Sequence, residues 1–311
     1  MSLLSVRDLV VEFPNRKGTL RALSGVSFDV QAGEILGLVG ESGAGKSMTG
    51  AAIMGLIEPP GRITEGHVEL SGERVDTAPE RFRGRRIGMV FQDPLTSLNP
   101  LQRVGEQLME TLRIHHELTQ QQAKQQAMLA LEEVGIDANR WDQYPHEFSG
   151  GMRQRVVIAL ALAAKPELLV ADEPTTALDV SIQAQVLDLL KRLCRERGCG
   201  VILITHDMGV IAQTTDRVAV MYLGRIVELG QTQAVIHSPK HPYTQGLMAS
   251  TPTINGRVED DLFQIPGSMP RLNAIPTGCA FHPRCQHATD RCRAQVPEFD
   301  GQRACFWKEG A

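Results

Sequence analysis

Gly40-Glu41-Ser42-Gly43-Ala44-Gly45-Lys46-Ser47 is the stretch that decides the fold. It fits the pattern G-x-x-x-x-G-K-[ST] in the setting that pattern requires. The apolar run 34–39 before it reads as a strand, and residues 46–57 after it have helical spacing up to Pro59-Pro60-Gly61. Glycines let such a loop curl until successive backbone N–H groups face the same phosphate oxygens. The helix that starts there adds the positive end of its dipole. Lys46 is long enough to reach the β- and γ-phosphates, and the Ser47 hydroxyl suits Mg²⁺. Gly40, Ser42, Gly43, Ala44, Gly45, Lys46 and Ser47 are therefore candidate nucleoside-triphosphate ligands. A chance glycine-rich turn is the competing reading, and the full pattern between strand and helix stands against it.

Outward from the loop, strand and helix readings alternate. Residues 3–13 and 24–30 read as strands, then 67–70 and 87–91. Residues 104–135 are rich in Gln, Glu, Leu and Ala and read as two or three helices, a subdomain of about 93–155. After it come a helix at 152–164, a strand at 168–172, a helix at 181–197, a strand at 201–205 and a hairpin turning at Gly224. This order implies an α/β fold with a mainly parallel sheet covered by helices. The 311 residues, 42 % of them hydrophobic, suffice for a large domain and an appendage. The formal charge of −4 with mixed signs gives no basic face for nucleic acid. No run reaches the ~18–20 apolar residues of a membrane span. Arg7, Asp8 and Glu12 interrupt any signal-like start, so the expected location is the cytoplasm.

The apolar strand 168–172 ends in Asp172-Glu173. Asp172 is placed to hold Mg²⁺ through water, and Glu173, turned differently, to polarise an attacking water as general base. A solvated Asp-Glu pair is the bland alternative. Phe148-Ser149-Gly150-Gly151-Met152 precedes a helix and offers a hydroxyl and bare N–H groups at its start. Alone, it would read as a Ser N-cap with two flexible glycines.

Together these motifs resemble the ABC ATPases over residues 3–230. The Ser-Gly-Gly core resembles the L-S-G-G-Q signature, with Phe148 and Met152 as departures. Gln92, in Phe91-Gln92-Asp93-Pro94, stands where the family has its Q-loop and its Mg²⁺- and γ-phosphate-sensing glutamine. Ala177-Leu178-Asp179 stands at the D-loop, and His206, after a strand, at the switch histidine. Phe13 has the approximate place of the adenine-stacking aromatic, though a strand core position explains it equally well. The resemblance implies an ABC-type P-loop core with a helical signature subdomain, binding ATP and Mg²⁺. Glu173, His206 and Gln92 would be catalytic, with Ser47, Gln92 and Asp172 about the metal. Ser149, Gly150, Gly151 and Asp179 would serve a nucleotide sandwiched with a second ATPase domain. Translation-type relatives fuse two such domains, and repair-type relatives insert a long coiled coil; neither fits this chain. An inactive subunit is disfavoured because Lys46, Glu173 and His206 keep competent residue types.

From His237 the chain turns rich in Pro, Cys and Arg, which places a boundary between domains 1–236 and 237–311. His241-Pro242-Tyr243-Thr244 and Cys279-x₅-Cys285-x₆-Cys292-x₁₂-Cys305 resemble the tail of ATPase subunits in the oligopeptide/dipeptide importer family, with its nickel and glutathione relatives. That tail also argues against an exporter. The implied partners are a second, non-identical ATPase subunit, two permeases and an extracytoplasmic solute-binding protein, with this chain peripheral on the cytoplasmic face of the inner membrane. Residues 92–99 would dock a permease helix through Leu95 and Leu98. The transported solute is not encoded here, since the ATPase does not touch it. Cys279, Cys285, Cys292 and Cys305 are expected to bind a structural [4Fe–4S] cluster, an internal staple for a tail with little periodicity. Zn²⁺ is the competing ligand, although the tail lacks the usual closely paired cysteines, and free thiols or disulfides are the third alternative. Cys194 and Cys199 read as ordinary reduced thiols.

Overall fold

A computed structural model describes residues 2–16, 18–176, 178–251 and 263–308. In chain order the strands are β1 (Leu4–Asn15), β2 (Gly18–Val30), β3 (Ile35–Val39), β4 (Arg62–Leu70), β5 (Glu73–Arg74), β6 (Ile87–Val90), β7 (Leu168–Asp172), β8 (Gly200–Thr205), β9 (Arg217–Tyr222) and β10 (Arg225–Gln231). The helices are α1 (Lys46–Met54), α2 (Pro94–Ser97), α3 (Val104–His115), α4 (Gln120–Glu133), α5 (Gly150–Ala163), α6 (Val180–Arg197), α7 (Met208–Thr214), α8 (Thr232–His237), α9 (Pro242–Ala249) and α10 (Asp290–Ala294). The chain divides into two compact units. One comprises Met1–Leu4, Val30–Ile35 and Leu70–Leu203, the other Ser5–Asp29, Leu36–Glu69 and Ile204–Ala311. No helix among the described residues is long and apolar enough to cross a membrane.

In the first unit β6 and β7 run parallel, with Ile87 opposite Leu168 and Val90 opposite Ala171. Every residue of β7 is buried, which is why residues 168–171 are a continuous apolar run instead of an alternating one, with the buried Asp172 at its end. The helical subdomain is built on α3 and α4. Thr119 caps α4 by accepting the Gln122 N–H, while Gln122 Oε1 accepts the Thr119 N–H (2.9 Å). Helix α5 packs against both and against α6. It starts at Gly150, two residues before the apolar spacing begins, with Ser149 as N-cap.

In the second unit β2, β1 and β4 adjoin in that order, and so do β10, β9 and β3. β3 pairs parallel with β9, from Leu36 opposite Arg217 to Val39 opposite Val220. Gly37 permits the helix cover: a Cβ there would lie 2.5 Å from Ile211 Cδ1. The β9–β10 hairpin turns at Leu223 and Gly224, both left-handed (φ 44° and 73°), as a two-residue turn between twisted strands demands. Helix α1 ends at Met54, not at Ile57 as its spacing suggests. Gly55 adopts φ 63° and returns its N–H to the Ala51 and Ala52 carbonyls, which closes the helix ahead of the prolines.

Residues 204–311 all belong to this unit, so the appendage shares its core. Tyr243 and Phe281 are buried with Val39, Val218, Val220 and Tyr222. Their rings meet at centroid distances of 4.8 Å (Tyr222–Tyr243), 5.3 Å (Tyr222–Phe281) and 5.4 Å (Tyr243–Phe281). The tail also covers the free edge of β10: Leu229 N–H donates to Gln302 O (2.8 Å) and Ala304 N–H to Val227 O (2.9 Å). Buried aromatics and edge pairing thus anchor the tail.

His241 caps α9, its Nδ1 accepting the Tyr243 N–H at 3.0 Å. Burial, with Arg303 adding to it, lowers this imidazole from 6.5 to about 3. A histidine depressed by folding is protonated first in the unfolded chain. Its contribution is complete above 6.5 and is lost as the pH falls from there toward 3. Asn at this position can also cap without titrating. The unfolding midpoint should therefore fall less steeply between pH 7 and 4 in His241→Asn than in the parent; parallel curves would refute the assignment.

Candidate functional site

The phosphate loop lies in the second unit. Gly40, Gly43 and Gly45 take φ of 157°, 84° and 103°. Only glycine fits at Gly40, where a Cβ would lie 2.4 Å from the Met221 carbonyl oxygen. Lys46 is buried and turned back into its own loop, donating to Gly40 O (2.8 Å) and Glu41 O (3.1 Å). A positive charge is thereby fixed against two carbonyls of the loop. Ser42, Gly43 and Ser47 are exposed, and Ala44 is buried. A cavity of about 950 Å³ opens at Ser42 and Gly43, walled by Asn15, Arg16, Thr19 and Leu20 and, from the tail, by Met269 and Arg271. Phe13 does not line it. That ring packs against Gly61, where a Cβ would lie 2.4 Å from Phe13 Cε1. His206, also in this unit, is exposed just after β8.

The carboxylate pair lies in the first unit. Asp172 is the buried last residue of β7, and Glu173 follows with φ 46°. That left-handed torsion costs a glutamate roughly 1–2 kcal/mol and sends its side chain off in a new direction. The register of β6 against β7 brings Gln92 and Glu173 out at the same end. Gln92 Nε2 donates to Glu173 Oε2 (3.1 Å), and Thr176 Oγ1 donates to the same oxygen (3.0 Å). Two donors orient one carboxylate oxygen, an arrangement suited to a base that must point at a water. Thr176 was not foreseen; a Thr three residues past a carboxylate carries no signal of its own.

Ser149 and Gly150 are exposed, and the Ser149 hydroxyl does not bond to the helix it caps. Ser149 is thus the N-cap by position and backbone, with its hydroxyl not used for the cap. Gly151 allows α5 to approach α6, since a Cβ would lie 2.4 Å from Ile182 Cγ2. Both departures from the signature pattern meet one residue. The Arg140 guanidinium lies 4.6 Å from the Phe148 ring centroid, and its Nη1 is 3.2 Å from Met152 Sδ. Asp179 caps α6, accepting from Ile182 N–H (2.9 Å) and Ser181 Oγ (2.8 Å); the backbone bond holds its carboxyl below the usual range. Ala177, the first residue of the expected D-loop, lies outside the described residues.

The cluster expected at the four tail cysteines finds no support among the described residues. Cys279, Cys285, Cys292 and Cys305 form no disulfide. Burial pushes the Cys279 and Cys305 thiols up, and that of Cys285 to about 11, with the neighbouring thiols adding to the rise. Among the described residues no three His, Cys, Asp or Glu side chains form a group able to hold a metal ion. Neither the [4Fe–4S] cluster nor zinc is supported by the described residues. Cys194 and Cys199 are buried and unbridged, as reduced thiols should be.

The chain matches the ABC transporter family over residues 23–176 and the family "Oligopeptide/dipeptide transporter, C-terminal region" over residues 227–292. It is 50 % identical to the oligopeptide transport ATP-binding protein OppD of Bacillus subtilis over 293 residues, 92 % of this chain and 82 % of that protein. It is 45 % identical to the dipeptide transport ATP-binding protein DppD of Escherichia coli over 303 residues, 96 % of this chain and 92 % of that protein. Among solved structures it is similar to the ATP-binding cassette MJ0796, seen as a dimer in a post-hydrolysis state bound to ADP and Pi. There the TM-score is 0.66 at 27 % identity, covering 74 % of this chain and 98 % of the other. CbiO1 of Clostridium perfringens, part of the ABC transporter complex cbiONQ, gives 0.67 at 27 %, covering 76 % and 91 %. With such identity sustained over nearly its whole length, the chain belongs to the ATP-binding proteins of ABC transporters, in the family that carries the oligopeptide/dipeptide transporter C-terminal region.

Proposed function

We propose that this chain binds ATP with Mg²⁺ at the loop 40–47 and hydrolyses it to drive peptide uptake through membrane partners. The observation that carries the reading is the shaped loop with Lys46 buried in it. Lys46 and the loop N–H groups would neutralise the triphosphate. Ser47, Asp172 and Gln92 suit the Mg²⁺ shell, and Glu173 suits the attacking water. His206 would take the role of the switch histidine. The Ser149 hydroxyl and the Gly150 and Gly151 N–H groups, exposed at a helix start, would serve the nucleotide of a second ATPase chain. The names of the relatives support a peptide as cargo. The same kinship supports a non-identical second ATPase, two permeases and a solute-binding protein as partners, with the chain peripheral on the cytoplasmic face. Leu95 is 60 % exposed and is available to a permease helix, whereas Leu98, at 3 %, is a core residue.

In the assembled transporter, Glu173→Gln should lower ATP turnover by about 10²–10⁴-fold while leaving ATP binding nearly intact. The amide keeps the shape but cannot take the proton. Unchanged turnover would remove Glu173 from this role.

A further inference from the structure

We infer that the C-terminal extension is a working part of the nucleotide site, with Arg284 and Tyr243 as positioning residues that hold the phosphate loop through Glu41. This rests on the reading of residues 40–47 as a nucleotide loop. Glu41 occupies a position that the G-x-x-x-x-G-K-[ST] pattern leaves open, yet the extension grips it at two points. Arg284 Nη1 donates to Glu41 Oε2 (2.7 Å) and Nη2 to Oε1 (3.0 Å), a two-pronged fork. The Tyr243 hydroxyl accepts the Glu41 backbone N–H at 2.8 Å. These partners lie 243 and 202 residues away in the chain.

The fork is itself immobilised. The Arg284 side chain is 4 % exposed, and its Nε donates to Pro266 O at 2.9 Å. Its guanidinium lies against the rings of Tyr222 (5.9 Å) and Phe281 (6.0 Å). Arg284 gives up its hydration to make this pair while the Glu41 side chain stays 32 % exposed, and a pair of that kind is a poor way to gain stability alone. The aromatic trio already anchors the extension. What the pair adds is a fixed position for Glu41.

That position reaches the chemistry through one more bond. The Glu41 carbonyl accepts from Lys46 Nζ (3.1 Å) and from the Ala44 N–H (3.1 Å). A shift of Glu41 therefore moves the lysine and the turn that carries the loop N–H groups. The extension meets the loop a second time at Met269, whose Sδ would lie 3.8 Å from a Cβ on Gly43.

The test is calorimetric titration of ATP with Mg²⁺ into the full chain, comparing the parent with Tyr243→Phe, Glu41→Gln, Arg284→Lys, Arg284→Met and the Glu41→Gln/Arg284→Met pair. A charge-assisted fork is worth about tenfold or more in an equilibrium. Arg284→Met and Glu41→Gln should weaken ATP by about that factor at unchanged binding stoichiometry, and the pair should cost no more than the worse single change. Arg284→Lys, which restores the charge without the fork, should recover part of the loss. Tyr243→Phe removes one oxygen from an otherwise unchanged core and should weaken binding several-fold. A merely structural role would instead lower the number of sites and leave the dissociation constant alone; that result overturns the inference. So does a parent that binds ATP with every variant equally tight. A parent that binds no ATP would instead overturn the nucleotide reading of the loop, and this inference with it.

Discussion

A row of backbone N–H groups can converge on one anion only if the chain turns in a way that ordinary residues resist. In this protein that constraint falls on Gly40, Gly43 and Gly45, and much of the second unit serves to hold their torsions in place. β3, buried along its whole length, fixes how the chain enters the loop. α1 fixes how it leaves, starting at Lys46. The β9 backbone at Met221 stands so close to Gly40 that no side chain is possible there. The tail then grips the residue between, Glu41, at its carboxylate and its N–H. A loop held from four sides does not have to be ordered by its ligand, and less binding free energy is spent on ordering it.

The first unit solves a different problem, which is to aim a carboxylate. Parallel pairing of β6 and β7 sends Gln92 and Glu173 out at one end, and the left-handed torsion at Glu173 turns its side chain toward the amide. Backbone strain of this kind persists where surrounding structure imposes it. Here the Thr176 hydroxyl and the Gln92 amide share the restraint. The signature segment follows the same economy. Ser149 leaves its hydroxyl off its own helix, and Gly151 lets α5 close on α6. Arg140 braces the two bulky residues that flank the Ser-Gly-Gly core.

Local constraints were legible in the sequence, and distant ones were not. The glycine pattern, the apolar strands at 168–172 and 201–205, and the hairpin at Gly224 each follow from a few neighbouring residues, and each appears in the structure. Short-range chemistry also explains where that reading slipped. Gly55 ended α1 early by closing onto Ala51 and Ala52, a left-handed cap that outranked the prolines beyond it. The tail was opaque because its order is non-local. Tyr243 and Phe281 complete a core begun at Val39, and residues 302–304 pair with β10, so no periodicity within the tail could report them. The cysteine spacing was read as a ligand set because composition was the only signal available. Those thiols are partly buried and close enough to raise one another, and among the described residues they form no group able to hold a metal ion. Similarly, Phe13 and Leu98 carried no local mark of the packing that takes one to Gly61 and the other into the core.

We propose that this chain is half of an engine. On that proposal the loop 40–47 would hold its own nucleotide, and the segment exposed at Ser149 and Gly150 would serve a nucleotide held by another chain. A site divided in this way makes turnover depend on assembly, because the charge developing on the γ-phosphate is only partly met until the second surface arrives. The most direct measurement is the rate of ATP hydrolysis per chain, at fixed saturating ATP, as a second ATPase subunit and the permeases are titrated in. The account predicts weak hydrolysis by the dilute chain alone and a steep rise as the complex forms. Full turnover, independent of concentration, in a verified monomer would contradict it.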